Sequence, residues 1–293
     1  MSIQTAFADA ITAYDQSKGI PSGYDHSNGK TYPHYLSKEA WKLFVNGMEP
    51  SIRRQYEQAD GGELKEKESA PPKMAAFHSS SRFAYLLSRD CPDVVFEKQL
   101  PTGFGRNANL DGFLSREDRM VFAEAKCREP YGHPSPEKIS RKYLPVYDYL
   151  AEKMPDVFGY EASPIDEKYE SVCFHCKGRT VAGFDIKQMI SHLLSVARYL
   201  LACDSIPDRI DFLYLLYDPA ALPLKPDYRE HILTIHRQVK RDAADFAFPI
   251  LFGHIVDYVI STGEIPAPVF PTKVKAAFHF ELCDQYDYPR KLK

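Results

Sequence analysis

Three charged residues on two predicted, largely apolar strands have the types and spacing for metal-assisted hydrolysis. The stretch LDGFLSREDRMVFAEAKCREPY, residues 110–131, has the pattern of two short strands joined by a charged turn, with Asp111 on the first and Glu124 and Lys126 on the second. Side chains two positions apart on a strand lie on the same face, so Glu124 and Lys126 should point together. If SRED, residues 115–118, closes the turn, Asp111 comes to lie beside Glu124.

Two adjacent carboxylates predict a divalent cation. They raise each other's pKa unless a cation intervenes, and Mg²⁺ or Mn²⁺ prefers oxygen ligands. We therefore expect Asp111 and Glu124 to bind Mg²⁺ or Mn²⁺. Such an ion polarises a phosphoryl oxygen and lowers the pKa of a bound water, while Lys126 orients that water or stabilises the developing negative charge. The reaction that fits is phosphodiester hydrolysis; the alternative is an ordinary ion pair between Glu124 and Lys126.

Composition sets limits on the class of protein. The chain has 293 residues, 44% hydrophobic and 26% charged, enough to bury the core of one large domain. A net charge of −3 gives no overall attraction for nucleic acid, so DNA contacts would need a local basic surface, a divalent cation, or both. There is no apolar run of the roughly 18–20 residues that span a membrane and no signal-peptide pattern, and the six scattered cysteines are compatible with reduced thiols. These features predict a cytoplasmic protein without a membrane partner.

The order of predicted elements indicates a mixed α/β domain with helices covering a central sheet. Residues 1–60 predict an N-terminal extension of helix and loop, including a helical stretch over 37–60. The remaining predicted elements are a helix at 75–90, strands at 93–101, 108–116 and 119–128, helices at 135–154 (kinked or divided by Pro145) and 184–204, a strand at 209–219, helices at 226–246 and about 250–261, and a late strand at 275–284.

Asp111 followed by Glu124-Ala125-Lys126, within this helix–strand–strand–strand–helix–strand order, resembles the PD-(D/E)XK nuclease superfamily, also called the restriction-endonuclease-like fold. Leu110 stands where the family pattern often has Pro. Residues 61–215 are also similar to a group of restriction endonucleases within that superfamily. The resemblance implies an α/β fold with a mixed central sheet flanked by helices, covering residues 61–293 and including a C-terminal helical elaboration.

The same resemblance implies the activity and further site residues. It implies a Mg²⁺-dependent DNA endonuclease of restriction or defence type, with DNA as partner and a homodimer where both strands are cut. Family members commonly carry another acid on the preceding helix and a Gln on the helix after the motif, and Glu63 and Gln188 are the matching candidates. Glu97 is a rival extra ligand on a neighbouring strand. A repair or recombination nuclease of the same superfamily, and a non-catalytic nucleic-acid-binding module, remain as alternatives.

Other motifs have simpler explanations. GFGRNA, residues 103–108, has the spacing of a dinucleotide-binding loop but lacks the following helix, which favours a flexible loop. CFHC, residues 173–176, lacks a second pair of ligands, so ordinary thiols are favoured and zinc binding is left open. The serines at 79–81 fit helix capping better than nucleophilic attack.

The histidines and basic residues on the predicted helices can each have a structural or a functional role. His192 and His254 are predicted to be packed or hydrogen-bonded, although His192 lies one turn after Gln188 and so could face the same cleft. Basic side chains near the predicted site either line a phosphate track or simply meet water. They are Lys138, Arg141, Lys142, Lys187 and Arg198.

Overall fold

The computed structural model describes residues 1–59, 62–91, 93–132, 135–263 and 275–284. The helices in these ranges are α1 Ile3–Ser17, α2 Lys38–Asn46, α3 Pro50–Gln58, α4 Ser80–Ser88, α5 Leu144–Lys153, α6 Ile186–Leu201, α7 Pro226–Asp245 and α8 Phe248–Ser261. The strands are β1 Ser22–Asp25, β2 Thr31–Leu36, β3 Val95–Pro101, β4 Asn107–Ser115, β5 Arg119–Lys126, β6 Glu137–Ser140, β7 Phe158–Pro164, β8 Tyr169–Cys176, β9 Arg179–Thr180, β10 Arg209–Tyr217 and β11 Lys275–Cys283.

A five-stranded mixed sheet forms the centre of the fold, in the order β11-β10-β5-β4-β3. Strands β3, β4 and β5 form an antiparallel meander, whereas β10 is parallel to both β5 and β11. Parallel neighbours need a long crossover connection, and the one from β5 to β10 includes α5 and α6. The predicted α/β class, with a mixed central sheet flanked by helices, is confirmed.

Alternation along β5 places the two halves of the core on opposite faces of the sheet. Met120 and Phe122 join the cluster covered by α5, α6 and α8, while Val121 and Ala123 join the cluster covered by α1 to α4. The strand β10, with the sequence RIDFLYLLY, is buried on both faces, as a near-continuous apolar run in the parallel part of a sheet should be. Strand β5 therefore alternates between the two faces of the sheet, which is the pattern from which a common face for Glu124 and Lys126 was predicted.

Helix α6, which carries Gln188, begins and packs as the sequence predicts. Asp185 is its N-cap, and its side chain accepts a hydrogen bond from the backbone N–H of Gln188 at 2.8 Å. Ile190 and Leu194 on its apolar stripe are fully buried in the cluster on the α6 side of the sheet. The buried stripe fixes which face of α6 packs against the sheet, and it therefore fixes the direction in which the Gln188 side chain points.

The prediction of one helix over residues 135–154 is wrong in its first half. Residues Glu137–Ser140 form β6, and the helix begins only at Leu144. Pro145 lies in the first turn of α5, where its missing N–H is not needed, so it starts the helix instead of dividing it. Strand β6 belongs to a second sheet, in the order β6-β8-β7 with β9 paired to β8, and this sheet was not predicted.

The N-terminal region contains more regular structure than predicted. The helix expected over 37–60 is two helices, α2 and α3, and Pro50 starts the second. Helix α1 and the antiparallel hairpin of β1 and β2 precede them. Phe7 and Tyr56 belong to the same buried cluster as sheet residues such as Val121. The boundary proposed between residues 60 and 61 lies outside the described residues, so the two-part division stays a prediction.

The last helices close the α6 side of the sheet. Leu251, Ile255 and Val259 of α8 are fully buried in the cluster that α6 also covers. Within the part of the chain that the structure describes, no single helix is long and apolar enough to cross a bilayer, and α7 and α8 meet the length and composition test only as a pair bent by 55°.

Candidate functional site

The meander brings Asp111 beside the Glu124–Lys126 pair. Gly112 pairs with Ala123 in the register of β4 and β5, so Asp111 and Glu124 occupy the next row of the sheet. Asp111 Oδ2 accepts a hydrogen bond from the backbone N–H of Ala125 at 2.8 Å. The structure therefore places the three residues singled out by the sequence in one neighbourhood on two adjacent strands.

Lys126 connects the strand to helix α6. Its Nζ lies 2.7 Å from Glu124 Oε1 and donates a hydrogen bond to Gln188 Oε1 at 2.5 Å. The side chains of Lys126 and Glu124 are only 10% and 14% exposed, so solvent screens their interaction weakly. These two contacts of Lys126 are compatible with both interpretations of Glu124 and Lys126, which are an ordinary ion pair and part of a site that includes Gln188.

The cluster places two carboxyl groups beside one ammonium in a poorly hydrated place. Burial raises the pKa of Asp111 well above its usual range, and the nearby Glu124 charge raises it further, against the opposing effect of Lys126. Burial also raises the pKa of Glu124. Burial alone would lower the pKa of Lys126, but the Glu124 charge outweighs it and raises that pKa. One ammonium thus faces two carboxylates, an arrangement that a bound cation would stabilise.

Two further acids lie near Asp111. Glu97 of β3 lies opposite Asp111 of β4, because the residues on either side of it pair with Gly112 and Leu110. Its backbone has a φ of 50°. Burial, followed by the charges of Asp111 and Glu63, raises the pKa of Glu97 to about 8. A left-handed conformation at a non-glycine residue within a strand is uncommon and redirects its side chain.

Glu63 lies near this cluster but not where the resemblance implied. It belongs to a turn between α3 and α4, not to the helix that precedes β3. Its side chain is buried, and Oε1 accepts a hydrogen bond from Lys73 Nζ at 3.0 Å. The part of the expectation that assigns this acid to the preceding helix is therefore wrong, because α4 begins only at Ser80.

His192, for which the spacing from Gln188 left a place in the same cleft open, is a neighbour of the site. Its Nδ1 lies 3.3 Å from Glu124 Oε2. Burial, and then the charge of Lys126, lower its pKa to about 3, so the imidazole is neutral near pH 7. The four-residue spacing from Gln188 was the available signal, because residues i and i+4 share one helix face.

A narrow cavity of about 40 Å³ adjoins the charged residues on the α6 side of the sheet. Its polar lining comes from Glu124, Lys126, Asp185, Gln188, His192 and Tyr214. Tyr214 of β10 pairs in register with Glu124. No feature of the sequence points to Tyr214, because it lies in the apolar run of a strand that is buried on both faces.

The residues present fit an ion that takes few protein ligands. Among the described residues, no group of three or more His, Cys, Asp or Glu side chains has an arrangement that could hold a metal ion. Mg²⁺, however, is usually held by one or two carboxylates, and water and substrate phosphate oxygens complete its octahedron. Glu124 Oε2 is buried and accepts no hydrogen bond within the described ranges, so it is available as a ligand. Asp111 and Glu124 fit such a two-carboxylate site.

The remaining motifs adopt the simpler structures. Cys173 and Cys176 are three positions apart on β8, so they point to opposite faces of the strand, and only Cys176 is buried. The pair cannot share one zinc ion. The GFGRNA loop joins β3 to β4 without a following helix. The Ser79 side chain caps α4 by accepting a hydrogen bond from the backbone N–H of Arg82 at 3.3 Å.

The basic side chains considered as a phosphate track are mostly engaged within the protein. Arg141 Nε lies 2.7 Å from Glu170 Oε1, and Lys138 Nζ lies 4.1 Å from the centre of the Tyr169 ring. Lys142 and Lys187 donate hydrogen bonds to backbone carbonyls, and Arg198 is 9% exposed beside Gly103. These contacts do not select between the two readings of the basic residues. His254 is half-buried on α8.

Comparisons of this chain with models of protein families, with curated proteins and with solved structures gave no match.

Proposed function

We propose that this chain is a divalent-metal-dependent nuclease that hydrolyses phosphodiester bonds, and that it acts as a DNA endonuclease of restriction or defence type. The observation that carries the proposal is the meeting of Asp111, Glu124 and Lys126 on two adjacent strands. The hydrogen bond from Ala125 to Asp111 and the contact of Lys126 with Glu124 hold the three residues together.

In this proposal, each side chain has a separate task. Asp111 and Glu124 hold Mg²⁺ or Mn²⁺, which when bound supplies Lewis-acid polarisation of the scissile phosphate. Lys126 stays protonated beside Glu124 and stabilises the negative charge that develops on the phosphoryl oxygens. Gln188 accepts a hydrogen bond from Lys126 and so orients its ammonium. Glu63 adds negative charge near Glu97, and Glu97, whose pKa is raised to about 8, adds negative charge near Asp111 as the pH rises toward that value.

The element order supports the resemblance to the PD-(D/E)XK superfamily. Helix α4, the meander of β3, β4 and β5, helix α6 and strand β10 occur along the chain in the order that this resemblance requires, with α5 and the second sheet inserted between β5 and α6. The same proposal includes DNA as the partner and a homodimer that cuts both strands. It also includes a cytoplasmic location. A repair or recombination nuclease of the superfamily would use the same residues.

A non-catalytic nucleic-acid-binding module is the second candidate, and the ion pair between Lys126 and Glu124 favours it. At 2.7 Å this pair neutralises part of the charge without any metal. Concentrated acids facing a phosphate nevertheless add little to simple binding, because like charges repel. For this reason we place the nuclease first.

Cleavage of supercoiled and linear plasmid DNA tests the proposal. Wild-type protein should cut both substrates with Mg²⁺ or Mn²⁺ and neither with EDTA. Lys126→Ala and Asp111→Ala should each lose at least about 100-fold in rate, the scale of a positioned catalytic group. Lys153→Ala is the matched control, since this lysine is exposed on α5 and pairs with Glu152 at 2.8 Å. DNA binding without metal-dependent cleavage by the wild type would favour the module instead.

A further inference from the structure

Two buried polar atoms face the cavity beside Lys126 and have no hydrogen-bond partner within the described ranges. They are Tyr214 Oη and Glu124 Oε2, and His192 Nδ1 lies 3.3 Å from the second of these without a hydrogen bond to it. The two residues are paired in register on β10 and β5, and Tyr214 is only 7% exposed. Buried polar atoms are almost always hydrogen-bonded, to the protein or to ordered water, so an unpaired pair of such atoms at one cavity needs an explanation.

The cavity has the size and the chemistry of a water site. Its volume is about 40 Å³, and a water requires roughly 10–15 Å³ together with two to four polar partners. Lys126 supplies the third partner, because an ammonium has three N–H groups and Glu124 and Gln188 account for two of them. A water there would accept from Lys126, donate to Glu124 Oε2 and hydrogen-bond to the Tyr214 hydroxyl.

We infer that Tyr214, Glu124 and Lys126 bind one water in this cavity and that this water attacks the phosphodiester. This inference rests on the proposed function. The water oxygen forms the new bond to phosphorus as the bond from phosphorus to the leaving oxygen breaks. The water gives up one proton to bulk solvent, and the leaving oxygen takes a proton from bulk solvent. Tyr214 is thus a positioning residue, which acts through the water that it orients.

The chain offers a matched control on the same strand. Tyr217 is also buried, and its hydroxyl likewise has no hydrogen-bond partner in the described part of the chain. Its ring packs on the opposite face of the sheet, against Phe7 and Phe83. Tyr217→Phe therefore removes the same atom from the same strand without touching the cavity beside Lys126.

Crystal structures test the water site without relying on activity. The wild-type structure, at a resolution that shows ordered water, should contain a water within hydrogen-bond distance of both Tyr214 Oη and Glu124 Oε2. In Tyr214→Phe, the water should be lost or displaced, while the positions of Lys126 and Gln188 stay the same. A wild-type cavity that is dry would overturn the inference.

Kinetics then test the role of that water. With Mg²⁺ and a DNA substrate, Tyr214→Phe should lower kcat about 10-fold and leave KM within about twofold, as expected for loss of one hydrogen bond that acts in the transition state. Tyr217→Phe should match the wild type. Equal rates for the two variants would refute the role of Tyr214, even if Lys126→Ala abolishes cleavage. Absence of cleavage by the wild type would instead refute the proposed function, and with it the role of the water in hydrolysis.

Discussion

The carboxylate of Asp111 accepts a hydrogen bond from the backbone N–H of Ala125. Ala125 lies between Glu124 and Lys126, so this single bond ties β4 to the middle of the charged segment of β5. The last regular pair between the two strands before it is Gly112 with Ala123. The orientation of Asp111 toward Glu124 is therefore set by the backbone, before any ligand binds.

Asp111→Asn separates the charge of this residue from its hydrogen bond. The amide oxygen can still accept from Ala125, so the fold should be kept, and stability without metal should be equal or higher, because burial and the Glu124 charge disfavour the ionised carboxylate. Adding Mn²⁺ should raise the Tm of the wild type but not that of the variant. Asp156→Asn, at an exposed turn, should respond to Mn²⁺ like the wild type. An equal Mn²⁺ response in Asp111→Asn would argue against Asp111 as a ligand.

Gln188→Ala should slow DNA cleavage by about 10-fold, because Lys126 loses the acceptor that orients one of its three N–H groups. The measurement is the cleavage rate at saturating Mg²⁺. Ser195→Ala is the control on the same helix, since this buried hydroxyl donates to the carbonyl of Ser191 away from the charged residues. If both variants cleave at the same rate, Gln188 does not position Lys126.

Glu97→Gln should change how stability depends on pH. The folded-state pKa of Glu97 is about 8, above its ordinary value of 4.5, so the folded protein retains a proton that the unfolded chain releases. Stability is then fully present below about pH 4.5 and is lost as pH rises toward about 8, by an amount on the order of a few kcal/mol. The variant should lose less stability across this window.

Denaturant unfolding of Glu97→Gln at about pH 5 and about pH 9 measures this difference. Glu117→Gln is the control, since this residue is exposed in the turn between β4 and β5. The control should keep the wild-type pH dependence. A Glu97→Gln variant with the same dependence as the control would show that Glu97 is not held in an unfavourable buried environment.

Site residues could be predicted from the sequence where a charged residue interrupts an apolar strand pattern. They could not be predicted where no such interruption occurs. Glu124 and Lys126 stood out because charges on a buried strand need a reason, and the period-two alternation then predicted their common face. Tyr214 could not be found in this way, because β10 is buried on both faces and its register with Glu124 exists only once β5 and β10 are paired. Distant pairing of this kind leaves no local signal.

The missed strands have a similar physical cause. Strand β6 has only four residues and is stabilised by β8, some thirty positions later in the chain. Strand β2 contains Pro33, which cannot donate a ladder hydrogen bond and so argues against a strand when the sequence is read alone. In both cases tertiary pairing decides a conformation that local preferences do not favour.

Arg82→Ala should destabilise the protein by about 3–5 kcal/mol, because it leaves the buried carboxylate of Asp15 without the guanidinium that lies 3.6 Å away. The two residues are 3% and 0% exposed and join α1 to α4. Arg53→Ala is the control, because its pair with Glu57 is on the surface of α3, and the loss should be about 0.5 kcal/mol or less. The two free energies of unfolding are compared by urea titration. Similar losses for both arginines would mean that α1 is not anchored through this pair.

Anomalous diffraction from crystals soaked in Mn²⁺ tests the central claim most directly. The account predicts one strong peak in contact with both carboxylates, at roughly 2.0–2.3 Å from an oxygen of Asp111 and an oxygen of Glu124. The same peak should be missing from Asp111→Asn crystals treated in the same way. A wild-type structure in which Mn²⁺ binds elsewhere, or in which the two carboxylates hold no ion at a saturating concentration, would contradict the account.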